Sequence, residues 1–406
     1  MIPRPAYLSR LADAVRRSPI VALLGPRQCG KTTLARLFGE GRRATFFDLE
    51  SEPHRLSLQN PELALGTAEG LVVLDEIQTM PALFPALRVL ADRPRTKARF
   101  LLLGSASPAL VKNASESLAG RVEFVEMGGF DVEETGADAW RELWARGGFP
   151  RSFLAGSDQD SAAWREGFVK TFLERDIPSL GITIPAAALR RFWTMLAHCH
   201  GQTWNASELA RAMGIADKTV RSYLDILTGA YMVRQLQPWH ENLSKRQVKA
   251  PKIYLRDSGL LHSLLGVPEA AGLLGHPKVG ASFEGFVVEQ VARLLHPPEL
   301  YFWGAHTGAE LDLLLMRGGQ RYGVEIKFSE APTITRSMRT AIEDLKLDRL
   351  IVIAPGERSY PIDETIEVVA VGELARLRGI VADAQPLRAG SREHPRDGVG
   401  EEPNGN

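Results

Sequence analysis

The chain has 406 residues, in which 49 lysines and arginines balance 49 aspartates and glutamates. This length exceeds one ordinary hydrophobic core and predicts two or three domains, while the neutral net charge says nothing about partners. Two cysteines without metal-like spacing exclude a disulfide framework, and the absence of long apolar runs and of a signal-peptide pattern predicts a cytoplasmic protein with no membrane contact.

A phosphate-binding loop follows the first predicted strand, at residues 20–24. Residues 25–32 read Gly-Pro-Arg-Gln-Cys-Gly-Lys-Thr and fill every fixed position of G-x-x-x-x-G-K-T. A helix predicted at residues 33–38 would place a phosphate at its N-terminus. We expect Lys31 to contact the β- and γ-phosphates of ATP, and the hydroxyl of Thr32 to bind Mg²⁺. The nucleotide-binding residues predicted here are Gly25, Pro26, Arg27, Gln28, Cys29, Gly30, Lys31, Thr32 and Thr33.

Cys29 lies inside this loop. It is either a small residue that fills space or a redox switch, and a switch would require a lowered thiol pKa.

An acidic pair ends a later apolar strand. A second strand is predicted at residues 43–49, and the apolar residues 71–74 lead directly into Asp75 and Glu76. At the carboxyl edge of a parallel sheet, Asp75 would hold Mg²⁺, and Glu76 would polarise the attacking water as general base. The alternative is an acidic pair that only stabilises the dipole of a helix N-terminus.

Two further residues are candidates for contact with the γ-phosphate. Ser105 follows a fourth strand predicted at residues 100–103 and is the candidate sensor, although a helix cap at Ser107 is the alternative. Arg121 could reach a phosphate in cis or, as an arginine finger, in a neighbouring subunit of a homo-oligomer. A surface or salt-bridging arginine is the alternative.

Several motifs together resemble the AAA-type ATPases of prokaryotes that pair an AAA domain with a C-terminal domain of unknown function. The resemblance extends to about residue 380 and implies that Arg121 is a phosphate-sensing arginine. It does not supply a substrate. The segments that carry it are residues 25–32, 74–78, 104–107, 118–121, 147–150 and 172–176.

The middle of the chain shows a helix-turn-helix pattern. A helix at residues 162–177 is predicted to end at Pro178, and shorter helices at 203–213 and 217–227 flank a turn at Gly214. Strands at 231–236 and 252–255 would complete a winged helix. Nine lysines and arginines accompany four acidic residues between positions 205 and 256, which favours DNA contact; protein docking or a solvated basic face are the alternatives. The predicted DNA contacts are Lys218, Arg221, Lys245 and Arg246.

The last part of the chain resembles the PD-(D/E)XK nuclease fold. Glu284 lies in a predicted helix, Asp312 on a strand, and Glu325 and Lys327 two residues apart on the strand that pairs with it. Asp312 and Glu325 would bind Mg²⁺ or Mn²⁺, Glu284 or Glu310 would add a carboxylate, and Lys327 would activate water or offset phosphate charge. Many members of this fold have lost activity, so an inert domain is the alternative.

The sequence as a whole predicts an α/β protein in four segments. A P-loop AAA-type ATPase domain with a parallel sheet is expected at residues 1–150, a helical and winged-helix domain at 151–277, a small PD-(D/E)XK nuclease-like α/β domain at 278–380, and a disordered tail at 381–406. The leading hypothesis is a DNA-associated ATPase in which ATP gates the nuclease-like domain. The alternative is an ATP-driven protein-interaction switch, in defence or a toxin–antitoxin system, with an inactive nuclease-like scaffold.

Overall fold

A five-stranded parallel sheet forms the centre of the first domain in the computed structural model, which describes residues 2–94, 97–105, 114, 116–242 and 247–382. The order across the sheet is β2-β3-β4-β1-β5, and every neighbouring pair is parallel. All carboxyl ends of the strands therefore meet at one edge, where ligands of open α/β sheets bind. The strands are β1 (Ile20–Gly25), β2 (Ala44–Asp48), β3 (Gly70–Asp75), β4 (Ala98–Ser105) and β5 (Val122–Glu126).

Helices cover both faces of this sheet, which explains why β1 is buried along its whole length. Val21 and Leu23 of β1 face the side on which α1 and α2 pack, while Ala22 and Leu24 face α5, as the two-residue period of a strand requires. The helices are α1 (Pro5–Arg17), α2 (Lys31–Gly39), α3 (Glu52–Ser57), α4 (Pro61–Leu65) and α5 (Leu83–Asp92), with a 3₁₀ turn at Ile77–Thr79.

The middle of the chain is mainly helical. Its helices are α6 (Val132–Thr135), α7 (Trp140–Arg146), α8 (Pro150–Phe153), α9 (Asp158–Thr171), α10 (Ile177–Ser179), α11 (Ala186–His198), α12 (Ala206–Met213), α13 (Asp217–Gly229), α14 (Ser258–Leu264) and α15 (Ala270–Leu274), with a 3₁₀ turn at Ala137–Ala139. A π-helical turn at Phe172–Asp176 joins α9 to α10. The helical run continues through Pro178 to Ser179, so the helix predicted to end at Pro178 ends one residue beyond it.

A second sheet of nine strands runs from the middle of the chain into the last part. Its order is β13-β14-β12-β11-β10-β9-β7-β8-β6. β7 pairs in parallel with β9, so the boundary predicted between residues 277 and 278 falls inside one continuous sheet. Its strands are β6 (Gln202–Thr203), β7 (Val233–Pro238), β8 (Lys252–Leu255), β9 (Tyr301–Gly304), β10 (Glu310–Arg317), β11 (Gln320–Ile326), β12 (Arg349–Ala354), β13 (Tyr360–Pro361) and β14 (Ile366–Ala370).

The long helix α16 (Val279–Leu295) packs against this sheet, and three further helical segments complete the chain: α17 (Arg336–Leu345), a 3₁₀ segment at Val371–Arg376 and α18 (Leu377–Ala382). The predicted α/β class, with a P-loop parallel sheet followed by a helical region and a mixed sheet, is confirmed. Of the helices in the described ranges, none combines the length and the apolar character needed to cross a bilayer. The predicted cap at Ser107 and residues 383–406 of the predicted disordered tail lie outside the described residues. The first two residues of that tail, 381 and 382, belong to α18, so the predicted start of disorder at 381 is wrong.

Candidate functional site

The phosphate-binding loop joins β1 to α2 in a conformation that directs backbone amides toward one point. Gln28 and Gly30 have positive φ angles of 62° and 100°, and α2 begins at Lys31 directly afterwards. The first amides of a helix have no acceptor within it and, together with the helix dipole, they favour an anion there. Gly25 must lack a side chain, because a Cβ would lie 2.0 Å from the carbonyl oxygen of Met127.

The side chains of Lys31 and Thr32 make different contacts at this loop: Lys31 contacts the loop itself, and Thr32 contacts the end of β3. The Nζ of Lys31 donates to the carbonyl oxygens of Gly25, at 3.0 Å, and Pro26, at 2.8 Å, so the ammonium lies inside the curve of the loop. The hydroxyl of Thr32 donates to Oδ2 of Asp75 at 2.7 Å and joins the loop to the end of β3. Burial raises the pKa of Asp75 above its ordinary value, although the hydrogen bond from Thr32 acts in the opposite direction.

Glu76 follows β3 with a left-handed backbone, at a φ of 55°. Its Oε2 accepts a hydrogen bond from Nε2 of Gln78 and lies 3.9 Å from Nη2 of Arg27. Arg27 also donates to Glu50, at 3.3 Å, and to Asp176, at 2.8 Å. The predicted general base is therefore held beside the loop by an arginine that belongs to the loop, while 23% of its side chain remains open to solvent.

Ser105 and Cys29 lie at the same edge of the sheet. Ser105 is the last residue of β4 and pairs in register with Gly25, so its backbone is beside the loop; its side chain is outside the described part of the structure. Cys29 is fully buried, and its Sγ lies 3.8 Å from the carbonyl oxygen of Met127. A fully buried thiol fits the alternative in which Cys29 is a small residue that fills space in the loop.

A cavity of about 510 Å³ opens beside the loop, within the range of roughly 300–1,000 Å³ that small-molecule sites have. One wall consists of residues 28–33, at the start of α2. The lining also includes the apolar side chains of Ile2, Phe130 and Leu154. Apolar side chains next to an anion-binding loop are the combination that a nucleotide requires, since the base is largely apolar and the phosphates are anionic.

Arg151 is a cation in this cavity that the sequence analysis did not select. Its side chain is exposed on α8 and has no ion pair or hydrogen bond to any described residue. Two glycines allow the segment before Arg151 to lie close to Asp257 and Phe130. A Cβ on Gly147 would lie 2.2 Å from Oδ1 of Asp257, and one on Gly148 would lie 2.6 Å from the carbonyl oxygen of Phe130. The adjacent glycines Gly147 and Gly148 are the feature of the sequence that could have indicated this close packing next to Arg151.

Arg4 is a second residue of the site that was not predicted from the sequence, and it contacts the backbone of the phosphate loop. Its guanidinium donates to the carbonyl oxygens of Cys29, Gly128 and Gly129 at 2.9 to 3.3 Å, and to Glu134 at 2.6 and 2.9 Å. Arg4 is 5% exposed. A buried arginine that donates both to these backbone carbonyls and to the Glu134 carboxylate fixes the loop in position.

Arg121 lies away from this cavity. Its carbonyl oxygen accepts from the amide of Ile20, which places it at the amino edge of the sheet, whereas the phosphate loop follows the carboxyl end of β1. Its guanidinium is paired with Asp92 at 2.6 and 2.8 Å. The length of β1 separates Arg121 from the loop of its own chain. In this arrangement, the prediction that Arg121 contacts a phosphate bound to the same chain is wrong. Contact in trans stays a prediction.

The residues predicted for the nuclease-like site lie in one cluster, but a lysine occupies its centre. We call Glu284, Glu310, Asp312 and Glu325 the carboxylate cluster. The Nζ of Lys252 lies 3.4 Å from Glu284, 3.8 Å from Glu310 and 3.7 Å from Asp312. Across the described ranges, no three histidine, cysteine or acidic side chains have an arrangement that could hold a metal ion. Asp312 lies beside Lys252 and Glu325 is paired with Lys327, so both predicted metal ligands contact lysines in this structure, and metal binding by them stays a prediction.

Lys327, the predicted catalytic lysine, pairs with Glu325 at 2.7 Å. Lys218 and Arg221, two of the predicted DNA contacts, are exposed on α13. The other two, Lys245 and Arg246, lie outside the described residues.

Comparisons with known proteins agree with this organisation. The chain is 53% identical over 374 residues to uncharacterized proteins of Mycobacterium tuberculosis and Mycobacterium bovis, an overlap of 92% of this chain and 85% of each relative. A family model described as an AAA domain matches residues 17–136. The chain is an AAA-type protein of the same family as these mycobacterial proteins.

The rest of this AAA-type protein matches families without an assigned role. Domains of unknown function are matched at residues 137–271 (DUF8612) and 279–374 (DUF4143). Among solved structures, a Walker-type ATPase of Pyrococcus abyssi is similar at a TM-score of 0.46 and 14% identity, covering 65% of this chain and 96% of that one. The AAA family model at residues 17–136 confirms the AAA-type part of the predicted family.

Proposed function

We propose that this AAA-type protein binds ATP with Mg²⁺ in the cavity at the phosphate loop, hydrolyses it, and uses the change of nucleotide to switch the rest of the chain. The observation that carries the proposal is the 2.7 Å hydrogen bond between Thr32 and Asp75. It brings a hydroxyl and a carboxylate oxygen, the ligand types that Mg²⁺ prefers, to the mouth of an anion-binding loop.

The chain's own residues have distinct roles in this proposal. The amides at the start of α2 and the ammonium of Lys31 bind the phosphates, while Thr32 and Asp75 would hold Mg²⁺, which supplies charge neutralisation at the β- and γ-phosphates. Glu76 accepts the proton of the attacking water. The water oxygen bonds to the γ-phosphorus as the bond to the ADP oxygen breaks.

Two substitutions test this proposal. We expect Lys31→Ala to abolish ATP hydrolysis, because the phosphates lose their main point charge, and Glu76→Gln to keep ATP binding while turnover is lost. Lys170→Ala removes an exposed lysine of α9 and is the matched control. Equal turnover in wild type and Lys31→Ala would refute hydrolysis at this loop, and normal turnover in Glu76→Gln would show that Glu76 is not the base.

DNA association is a second candidate function, favoured by the exposed cations Lys218 and Arg221 on α13. This helix follows α12 after a short turn and is followed by the antiparallel strands β7 and β8, the order found in winged helices. Each lysine or arginine that contacts a phosphate releases counterions, so binding should weaken steeply with salt.

The test measures duplex DNA binding between low and physiological salt. We expect the double variant Lys218→Ala/Arg221→Ala to bind more weakly and with a smaller salt dependence, while Lys170→Ala behaves as wild type. Binding that is absent, or unchanged in the double variant, would favour an ATP-driven protein-interaction switch instead.

A further inference from the structure

Lys252 places a positive charge among the oxygens of the carboxylate cluster. Its ammonium contacts Glu284, Glu310 and Asp312, and its side chain is only 6% exposed. The lysine is therefore a fixed positive charge inside an acidic pocket.

The spacing of the oxygens suits an ammonium rather than a metal. The three carboxylates lie 3.4 to 3.8 Å from Nζ, whereas oxygen ligands lie about 2.0–2.1 Å from Mg²⁺. Oxygens drawn in to that distance would collide with the Lys252 side chain. The lysine and a divalent cation thus exclude each other at this position.

The backbone of Lys252 is held in a sheet and cannot easily withdraw. Lys252 pairs with Leu236 of β7 and with Thr203 of β6, so both neighbouring strands hold it. Tyr254, two residues further on the same face of β8, donates its hydroxyl to Oε1 of Glu284 at 2.5 Å. The strand from the middle of the chain therefore presents two donors to one carboxylate of the last part.

A second observation, independent of the lysine, shows that the cluster retains an unused ligand atom. Oε2 of Glu325 is buried and has no hydrogen-bond partner among the described residues, although Oε1 pairs with Lys327. Glu325 is 3% exposed and its charge acts on Asp312, which is itself 4% exposed. A buried carboxylate oxygen without a partner is costly, and it is available to a cation that could enter.

We infer that the Lys252 ammonium is a built-in replacement for the divalent cation of the nuclease-like site, so that the last domain works without metal and a metal site is only latent beneath the lysine. Lys252 instead joins β8 to α16 and β10 through ion pairs. Removal of the lysine leaves the carboxylates of the cluster without their central charge, and a divalent cation can then replace it.

Mn²⁺ binding to the full chain without nucleotide tests this inference, with paramagnetic resonance used to count bound ions. Wild type and Asp312→Asn should bind the same number of Mn²⁺ ions. Lys252→Met, which keeps the length and the apolar stem of the side chain, should gain one Mn²⁺ per chain. Lys252→Met/Asp312→Asn should lose that gain, and Mn²⁺ should raise the melting temperature of Lys252→Met only.

Two outcomes would overturn the inference. One is a Mn²⁺ ion in wild type that Asp312→Asn loses, since the native site would then accept metal. The other is a folded Lys252→Met variant that gains no ion. If Lys252→Met does not fold, the comparison of wild type with Asp312→Asn still decides, because it leaves the lysine in place.

Discussion

Nη1 of Arg27 donates a hydrogen bond of 2.8 Å to Oδ1 of Asp176, a residue 149 positions further along the chain. Arg27 belongs to the phosphate loop, and Asp176 ends the π-helical turn between α9 and α10. The same guanidinium lies 3.9 Å from Glu76. One arginine thus contacts both the predicted catalytic base and the helical part of the chain, and π-helical turns are frequent at functional sites.

The first prediction concerns the coupling through this arginine. Asp176→Asn removes the strongest acceptor of Arg27, which we expect to turn toward Glu76 and compete with the attacking water. The kcat for ATP should fall by roughly tenfold, the value of one charged hydrogen bond of about 1.4 kcal/mol. Steady-state hydrolysis measures this change, and ATP affinity should change little.

A double-mutant cycle separates this coupling from a general loss of structure. In an Arg27→Ala background, Asp176→Asn should have no further effect on kcat, because the shared partner is gone. Glu174→Gln, an exposed residue on the same π-helical turn, is the matched control and should behave as wild type. If the effects of Arg27→Ala and Asp176→Asn on kcat are additive, the two residues act independently and the proposed coupling is refuted.

The second prediction assigns Arg151 to nucleotide binding. This arginine lines the cavity without a partner among the described residues, so a bound phosphate would be its first charged contact. We expect Arg151→Ala to weaken ATP binding by about tenfold, again near 1.4 kcal/mol. Titration with a fluorescent ATP analogue measures it, and Arg88→Ala, an exposed arginine of α5, is the control. Unchanged affinity would place Arg151 outside the binding site.

The phosphate loop and the acidic pair could be predicted because their chemistry is local. Gly25 to Thr32 are contiguous, and Asp75 follows an apolar strand that itself predicts the sheet edge. The resting contact between Thr32 and Asp75 adds geometry to that prediction. The strand β5 was missed because its sequence, Val-Glu-Phe-Val-Glu, lies at the edge of the sheet and lacks the continuous apolar run of a strand buried on both faces.

The other contacts could not be predicted because they join residues that are distant in sequence. Arg4 meets Glu134, Arg27 meets Asp176, and Lys252 meets Asp312 only after three parts of the chain have packed. Composition showed that Lys252 belongs to a basic segment, which favoured an exposed surface. The fold instead buries it among carboxylates, because β8 continues the sheet that carries Asp312.

The third prediction tests whether Arg121 acts between subunits. The distance of Arg121 from its own loop, along the length of β1, leaves a neighbouring chain as its route to a phosphate. If subunits share sites in this way, the specific activity of wild type should rise with protein concentration, and Arg121→Ala should stay at the low value throughout. Asp92→Asn, which frees the arginine without removing it, should retain the rise. Specific activity that is flat for wild type would leave Arg121 as a salt-bridging residue.

The fourth prediction concerns Glu289, a buried carboxylate where the first domain, β7 and α16 meet. It is 2% exposed, and Arg234 and Arg256 hydrogen-bond to it. Burial alone would raise the pKa of Glu289, but these guanidinium groups hold it well below its ordinary value. Because the pKa is lowered on folding, the carboxylate stabilises the protein above the unfolded pKa of about 4.3, and this contribution is lost as the pH falls.

Glu289→Gln leaves the half-buried Arg234 without its charge partner and Arg256 with Glu126 as its remaining close partner, and we expect it to lower the free energy of unfolding at pH 7 by about 3–5 kcal/mol. Urea unfolding from pH 7 to pH 3 measures the difference from wild type, which should shrink below about pH 4, because Glu289 binds a proton there in the unfolded chain while the folded carboxylate stays ionised. The exposed control Glu142→Gln should change stability by less than about 1 kcal/mol at any pH. A difference that is independent of pH would show that packing, rather than the charge of Glu289, holds this junction together.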